Sequence, residues 1–388
     1  MPGIPQPLLV NKLPLPYLDT SGELKTKPTQ MAVRELHRMG IQPDIILARA
    51  DSKISKDLLE KIALFCDVPL ANAIPCPTLK SIYEVPLDLE SYHISKLIFE
   101  HFGLKGKKPN LKEWSTLVRR MRSAKARKVM VALVGKYTAH GDAYISVHEA
   151  LKAAAAFQGV RLSIIDIDSE KLEERDAKEW KRLRSANGIV VPGGFGNRGI
   201  EGKIQAANYA RENKVPYLGL CLGMQIMSIE FGRYLLKTKE VNSTEFDAEV
   251  KNPVIHIIPE QRKNLEAKYM GASMRLGAYQ CKLDVNTLAY DAYTAKTSHA
   301  VPMDNKSGAV TISERHRHRY EFNNDYREKF VEAGFVFSGV NPEKNLVEIA
   351  EIKDHPFMLG TQFHPEFQSR PLRPHPLFRD FMGACAKR

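Results

Sequence analysis

The chain has 388 residues, 43% of them hydrophobic and 26% charged, with a net charge of +12. That length suits two domains or one large one, and the apolar share is enough for a sizeable core. No apolar run reaches about 18 residues, so no membrane span is expected. Met1-Pro2-Gly3-Ile4-Pro5 also lacks the basic-then-apolar order of a signal peptide. Cys66, Cys76, Cys221, Cys281 and Cys385 are scattered and form no C-x-x-C pair. Neither a zinc site nor a disulfide framework is indicated, and a reducing cytoplasm is the expected compartment.

Residues 1–20 are rich in Pro and Leu, with short extended candidates at Leu8–Val10 and Leu13–Leu18. From Lys27 the apolar residues through Met31–Met39 recur at helical spacing, and Gly40 ends the helix. Asp44–Arg49 reads as a buried strand, and Ser55–Phe65 as a helix with Ser55 at its N-cap. Basic residues then crowd the stretch from Lys105 to Lys128, including Lys107, Lys108, Lys112, Arg119, Arg120, Arg122, Lys125 and Arg127. Its one aromatic is Trp114, too few for stacking on single-stranded nucleic acid, so the stretch is read as a solvated helical linker. The domains expected are 1–108, a linker at 109–127, and 128–388.

A fresh series begins at Lys128. Val129–Val134 is a strand, Ala143–Phe157 a helix, Arg161–Ile167 and Gly188–Pro192 strands, and Ile200–Asn213 a helix. Pro216–Leu220 is a strand that runs directly into Cys221, after which Leu222–Phe231 resumes helical spacing. The alternation is an α/β pattern in both parts.

Gly219-Leu220-Cys221-Leu222-Gly223-Met224-Gln225 places a cysteine at a strand-to-helix junction between glycines. A sharp turn there projects the thiol from the sheet edge, as in the G-x-S-x-G elbow. The N-terminus of the following helix favours the thiolate, and the Leu222 N–H faces an oxyanion formed on attack. Val191-Pro192-Gly193-Gly194-Phe195-Gly196 ends another strand and offers a second N–H, from Gly194. Alone this run is more often a tight turn or a phosphate loop than a catalytic element. His364 and Glu366 lie two residues apart, so extended backbone projects them to one side. Alone, such a pair is usually a surface ion pair. Beside a thiol, the imidazole takes its proton and the carboxylate fixes the tautomer.

These three motifs together resemble the class I glutamine amidotransferases, whose glutaminase domain has a flavodoxin-like, mainly parallel sheet. The resemblance assigns Cys221, His364 and Glu366 to the triad that hydrolyses glutamine through a thioester. Gly194, Leu222, Gly223, Met224 and Gln225 then surround the oxyanion and the glutamine. Further segments resemble CTP synthases: Gly135-Lys136-Tyr137, Asn242-Ser243-Thr244-Glu245-Phe246, and Glu314-Arg315-His316-Arg317-His318-Arg319-Tyr320-Glu321. There the resemblance implies Glu245 for the glutamine α-ammonium and Arg317 for its α-carboxylate, a pairing that suits charge. Ser21–Gln30 resembles the segment that grips UTP or CTP, through Lys25, Thr26, Lys27, Pro28, Thr29 and Gln30. Lys61 falls at the family's other nucleotide-contacting lysine; without the resemblance it reads equally as an exposed helix lysine.

The resemblance implies ATP-dependent amination of UTP to CTP with magnesium, activation by GTP, glutamine and UTP/CTP as ligands, and a homo-tetramer. No nucleic-acid or membrane partner and no covalently held cofactor are expected. The sequence contains no G-x-x-x-x-G-K-[ST]. The expectation is therefore that residues 1–108 are the tail of a synthetase α/β domain without its ATP and magnesium site, and that no metal is ligated here. A chain retaining only the glutaminase half follows, or a non-catalytic fragment that binds nucleotide or co-assembles. Met1–Asn11 does not match the family clearly.

Overall fold

The computed structural model describes residues 7–123, 126–136, 142–257, 274–295 and 310–388. Tyr137 and Lys125, named above, lie outside them. The chain divides into two compact units, Met1–Val118 and Arg119–Arg388. The stretch expected as a linker carries a helix at Lys112–Met121, and the division falls inside it.

In the first unit, β1 (Val10–Pro14), β2 (Ile45–Ala50) and β3 (Ala73–Pro77) form a parallel sheet in the order β1-β2-β3. Helices α1 (Lys27–Arg38) and α2 (Lys56–Phe65) connect the strands. Pro28 sits in the first turn of α1, where a missing N–H costs no bond. Val33, Ile46, Ala48 and Ile62 are buried in one core cluster.

The second unit is built on a nine-stranded sheet. Its parallel half comprises β4 (Lys128–Gly135), β5 (Arg161–Asp168), β6 (Gly188–Val191), β7 (Tyr217–Leu220) and a late strand, Met358–Thr361. All of β6 and β7 is buried. Tyr217, Ile189 and Val191 enter the core on one face, and Val190, Leu218 and Leu220 the core on the other. Burial on both faces explains why these strands read as continuous apolar runs without alternation. Helix α3 (Ile145–Gln158) follows β4, α4 (Ile200–Glu212) follows β6 and α5 (Leu222–Leu236) follows β7.

Beyond α5 the strands β8 (Arg275–Leu283), β9 (Val310–His318), β10 (Phe335–Val340), β11 (Val347–Ile352) and β12 (the late strand Met358–Thr361) complete the sheet. Its order is β9-β8-β10-β11-β12-β7-β6-β4-β5. The pairings from β9 to β12 are antiparallel. The α/β class stands, and an antiparallel extension adjoins the parallel half. The extension positions the site: β12 lies beside β7, and the chain leaving it carries Gln362, His364 and Glu366 past the end of β7.

Candidate active site

Cys221 follows the last residue of β7 and precedes the first of α5, with φ 51° and ψ −99°. A non-glycine residue at positive φ is strained, and such strain collects at functional sites. Two close approaches hold the turn. The Cys221 N–H donates to the Thr361 carbonyl of β12 at 2.7 Å. Gly223 lies so near β6 that a Cβ there would land on the Val191 carbonyl oxygen. Gly223 and Met224 therefore build the elbow, and the Met224 side chain is fully buried.

The His364 Nδ1 lies 2.8 Å from Glu366 Oε1, so Nδ1–H donates to the carboxylate and Nε2 is left for the thiol. The His364 backbone N–H donates to Arg315 O at 2.8 Å, which fixes the residue to β9. Burial alone would push this imidazole down. The charge and hydrogen bond of Cys221, joined by those of Glu366, outweigh it and raise the pKa to about 10. Cys221, His364 and Glu366 are thus brought together. The Gly193–Gly194 turn passes beside them: a Cβ at Gly193 would sit 2.8 Å from His364 Cε1 and 3.6 Å from Cys221 Cβ.

A small cavity lies against Cys221. Gly194, Phe195, Cys221, Leu222, Gln225, Glu245, His318, Arg319 and Tyr320 line it. Of the residues expected around glutamine, Gly194, Leu222, Gln225 and Glu245 are therefore at the cavity. Arg317 is not. Its side chain is exposed, with its guanidinium carbon 5.8 Å from the centre of the Phe195 ring. Arg319, two residues along, lines the cavity. The reason lies in the backbone: β9 ends at His318, and the next strand, Tyr320–Phe322, pairs with a different sheet, so the chain changes direction at Arg319.

Burial raises the Glu245 carboxyl, opposed by the Gly196 N–H and by the charges of Arg319, Lys136 and Lys203. Gly196 N–H donates to Glu245 Oε1 at 3.4 Å. Lys203 is almost fully buried on α4, and burial, reinforced by Lys136, lowers its pKa to about 8 against the pull of Glu245. Sequence reasoning missed His318, Arg319, Tyr320 and Lys203; for Arg319 the signal was present in the same basic strand, two residues along.

In the first unit, Thr26 is the N-cap residue of α1 and its hydroxyl accepts from Gln30 Nε2 at 3.1 Å. Thr29 is fully buried and its hydroxyl donates to Pro14 O at 2.7 Å. The Thr29 hydroxyl proton is thus committed within the fold, whereas the Thr26 hydroxyl acts only as an acceptor in that bond. Lys25 is ion-paired with Glu23, and the Lys25 hydrogen bond and charge, with Lys61, hold the Glu23 carboxyl below its usual range. Lys27 and Lys61 are exposed, so Lys25, Lys27 and Lys61 remain near the surface of this unit. Among the described residues no group of three or more His, Cys, Asp or Glu is arranged to hold a metal ion. No described helix is long and apolar enough to cross a membrane.

A family profile described as "CTP synthase N-terminus" covers residues 6–104, and one described as "Glutamine amidotransferase class-I" covers residues 139–384. The solved structure of the Trypanosoma brucei CTPS glutaminase domain with bound acivicin is 39% identical, with a TM-score of 0.59, covering 67% of this chain and 94% of that one. The chain belongs to the CTP synthase family. The CTP synthase of Rubrobacter xylanophilus is 50% identical over 371 residues, 96% of this chain and 64% of that protein. The CTP synthase of Carboxydothermus hydrogenoformans is 49% identical over 373 residues, 96% of this chain and 66% of that protein. The chain thus spans just under two thirds of the length of these CTP synthases. The synthase profile begins at residue 6, inside the Met1–Asn11 segment that by sequence does not match the family clearly. Matches to synthases in both parts lend no support to a non-catalytic fragment or to a loss of the ATP-binding part.

Proposed function

We propose that this chain hydrolyses glutamine and delivers the ammonia to the amination of UTP to CTP. The contact of Cys221 with an imidazole that Glu366 holds at 2.8 Å carries the reading. His364 takes the Cys221 proton, and the thiolate attacks the side-chain amide carbon of glutamine. The N–H groups of Gly194 and Leu222 receive the oxyanion. The imidazolium returns its proton to the amide nitrogen, the C–N bond breaks, and ammonia leaves a thioester. His364 then deprotonates water, which attacks the thioester and releases glutamate and the thiolate. Glu245 suits the α-ammonium, and Arg319, in place of Arg317, suits the α-carboxylate.

For the synthetase half, Lys25, Thr26, Lys27 and Lys61 suit a triphosphate. Among the described residues no group of three or more His, Cys, Asp or Glu is arranged to hold magnesium, so no step is derived through ATP or Mg²⁺. GTP activation and tetramer formation belong to the proposal on the strength of the family alone. The test is ammonia and glutamate release from glutamine by the full chain and by Cys221→Ala, with and without UTP, ATP, Mg²⁺ and GTP. Release that disappears in Cys221→Ala supports the reading; equal release by both chains refutes it. CTP formation in the same mixtures tests the synthetase half.

A further inference from the structure

Gln362 follows β12 and is fully buried, and its side chain reaches the nucleophile. Its Nε2 lies 3.6 Å from Cys221 Sγ, within hydrogen-bonding range for sulfur. The orientation of that amide follows from its neighbours. Gln225 Nε2 lies 2.9 Å from the Tyr320 carbonyl and 3.2 Å from Gln362 Oε1. A carbonyl only accepts, so the Gln225 amide must present its NH₂ group to Tyr320. The same NH₂ then requires the oxygen of Gln362, and the Gln362 NH₂ is left facing the sulfur. The backbone leaves little freedom to undo this: Gln362 N–H donates to Glu348 O at 2.8 Å, and Cys221 N–H to the neighbouring Thr361 O at 2.7 Å.

We propose that Gln362 is a catalytic residue of the glutaminase reaction, its amide NH₂ donating to the Cys221 sulfur and stabilising the thiolate opposite His364. The inference rests on the reading of Cys221 as the nucleophile. An N–H donor bonds a thiolate more strongly than a thiol, so it favours the charged form. It acts twice in the cycle, when the thiolate forms and when it departs from the thioester. The Arg317 carbonyl oxygen, 3.9 Å from the sulfur, points the other way, since it can only accept from a thiol. The Gln362 donor offsets that contact. The titratable and charged groups around Cys221 are His364, with Glu366 behind it, and His318, Arg319 and Glu245 on the cavity wall. Lys203 lies beyond Gly194, about as far from a Cβ there as van der Waals contact allows. Gln362 is the neutral donor among them.

The experiment is the pH dependence of Cys221 alkylation by iodoacetamide, read at that residue by mass spectrometry, with thiolate absorbance followed in parallel. Burial raises the thiols of Cys66, to about 11, and of Cys281 and Cys385, and reading the adduct at Cys221 itself keeps their alkylation out of the signal. Gln362→Met keeps the length and removes the donor. Its alkylation midpoint is expected about one pH unit above that of the unmodified chain, with kcat for glutamine hydrolysis about tenfold lower and KM little changed. Gln362→Glu keeps the shape, sets a negative charge against the sulfur, and moves the midpoint up further. Thermal melting establishes that each variant is folded. A folded Gln362→Met or Gln362→Glu whose midpoint stays where the unmodified chain has it, or falls, overturns the inference. A chain that releases no ammonia although Gln362→Met moves the midpoint overturns the glutaminase reading and leaves the donor in place.

Discussion

Gly193→Ala isolates the geometry of the triad with a single methyl group. The Cβ it adds stands 2.8 Å from His364 Cε1, and 3.6 Å from both His364 Nδ1 and Cys221 Cβ. Carbon atoms in contact settle at about 3.5 Å or more, so roughly 0.7 Å must be found. His364 cannot yield it cheaply, because its ring is bonded to Glu366 at 2.8 Å and its backbone to Arg315 at 2.8 Å. Either the base moves off the sulfur or the turn that carries Gly194 moves. A displacement of that size is expected to lower kcat/KM for glutamine about 10- to 100-fold. Overpacking of this kind costs about 1–3 kcal/mol of stability. The neighbouring position supplies the comparison. A Cβ at Gly194 meets Leu222 Cδ2 at 3.6 Å and Lys203 Nζ at 4.0 Å, ordinary contacts. Gly194→Ala should therefore cost far less stability than Gly193→Ala. Steady-state ammonia release and urea unfolding of both variants decide the matter. A Gly193→Ala chain with kcat/KM within about threefold of the parent would refute the steric reasoning.

Two further outcomes are expected. His364 is raised to about 10 in the folded chain, above the ordinary imidazole value, so the stability it contributes is fully present below about 6.5 and is lost as pH rises through about 10. Glu366→Gln removes one of the groups that raise it, so the loss should begin at lower pH; unfolding curves between neutral pH and the alkaline end check the direction, and an unmoved limb contradicts it. Arg319→Met should raise the glutamine KM more than about tenfold while Arg317→Met changes it less than about twofold, since only Arg319 lines the cavity. The reverse order in initial-rate measurements would return the carboxylate to Arg317.

Much of the site was legible in the chain because its chemistry is local. The cysteine between β7 and α5, the paired glycines after β6, and His364 with Glu366 each need only a few consecutive residues to take shape. The buried parallel strands were legible for the same reason, since burial on both faces leaves an unbroken apolar run.

Other features depend on where distant segments meet. Arg317 and Arg319 share one side of an extended strand, so alternation cannot choose between them. The choice is made where β9 stops at His318 and the chain crosses to another sheet. Thr29 has the composition of a phosphate ligand, but its hydroxyl is used by Pro14, a residue on a neighbouring strand. The antiparallel extension sets β12 against β7, and only that pairing brings Gln362 to Cys221, 141 positions away in the chain. The sequence by itself determined where a cysteine meets a strand-to-helix turn, where paired glycines end a strand and where a histidine stands two residues from a glutamate, because those features follow from residue type and local backbone. The tertiary structure alone decided which cation faces the cavity and which amide faces the sulfur, because hydrogen bonds and register between distant strands set those directions.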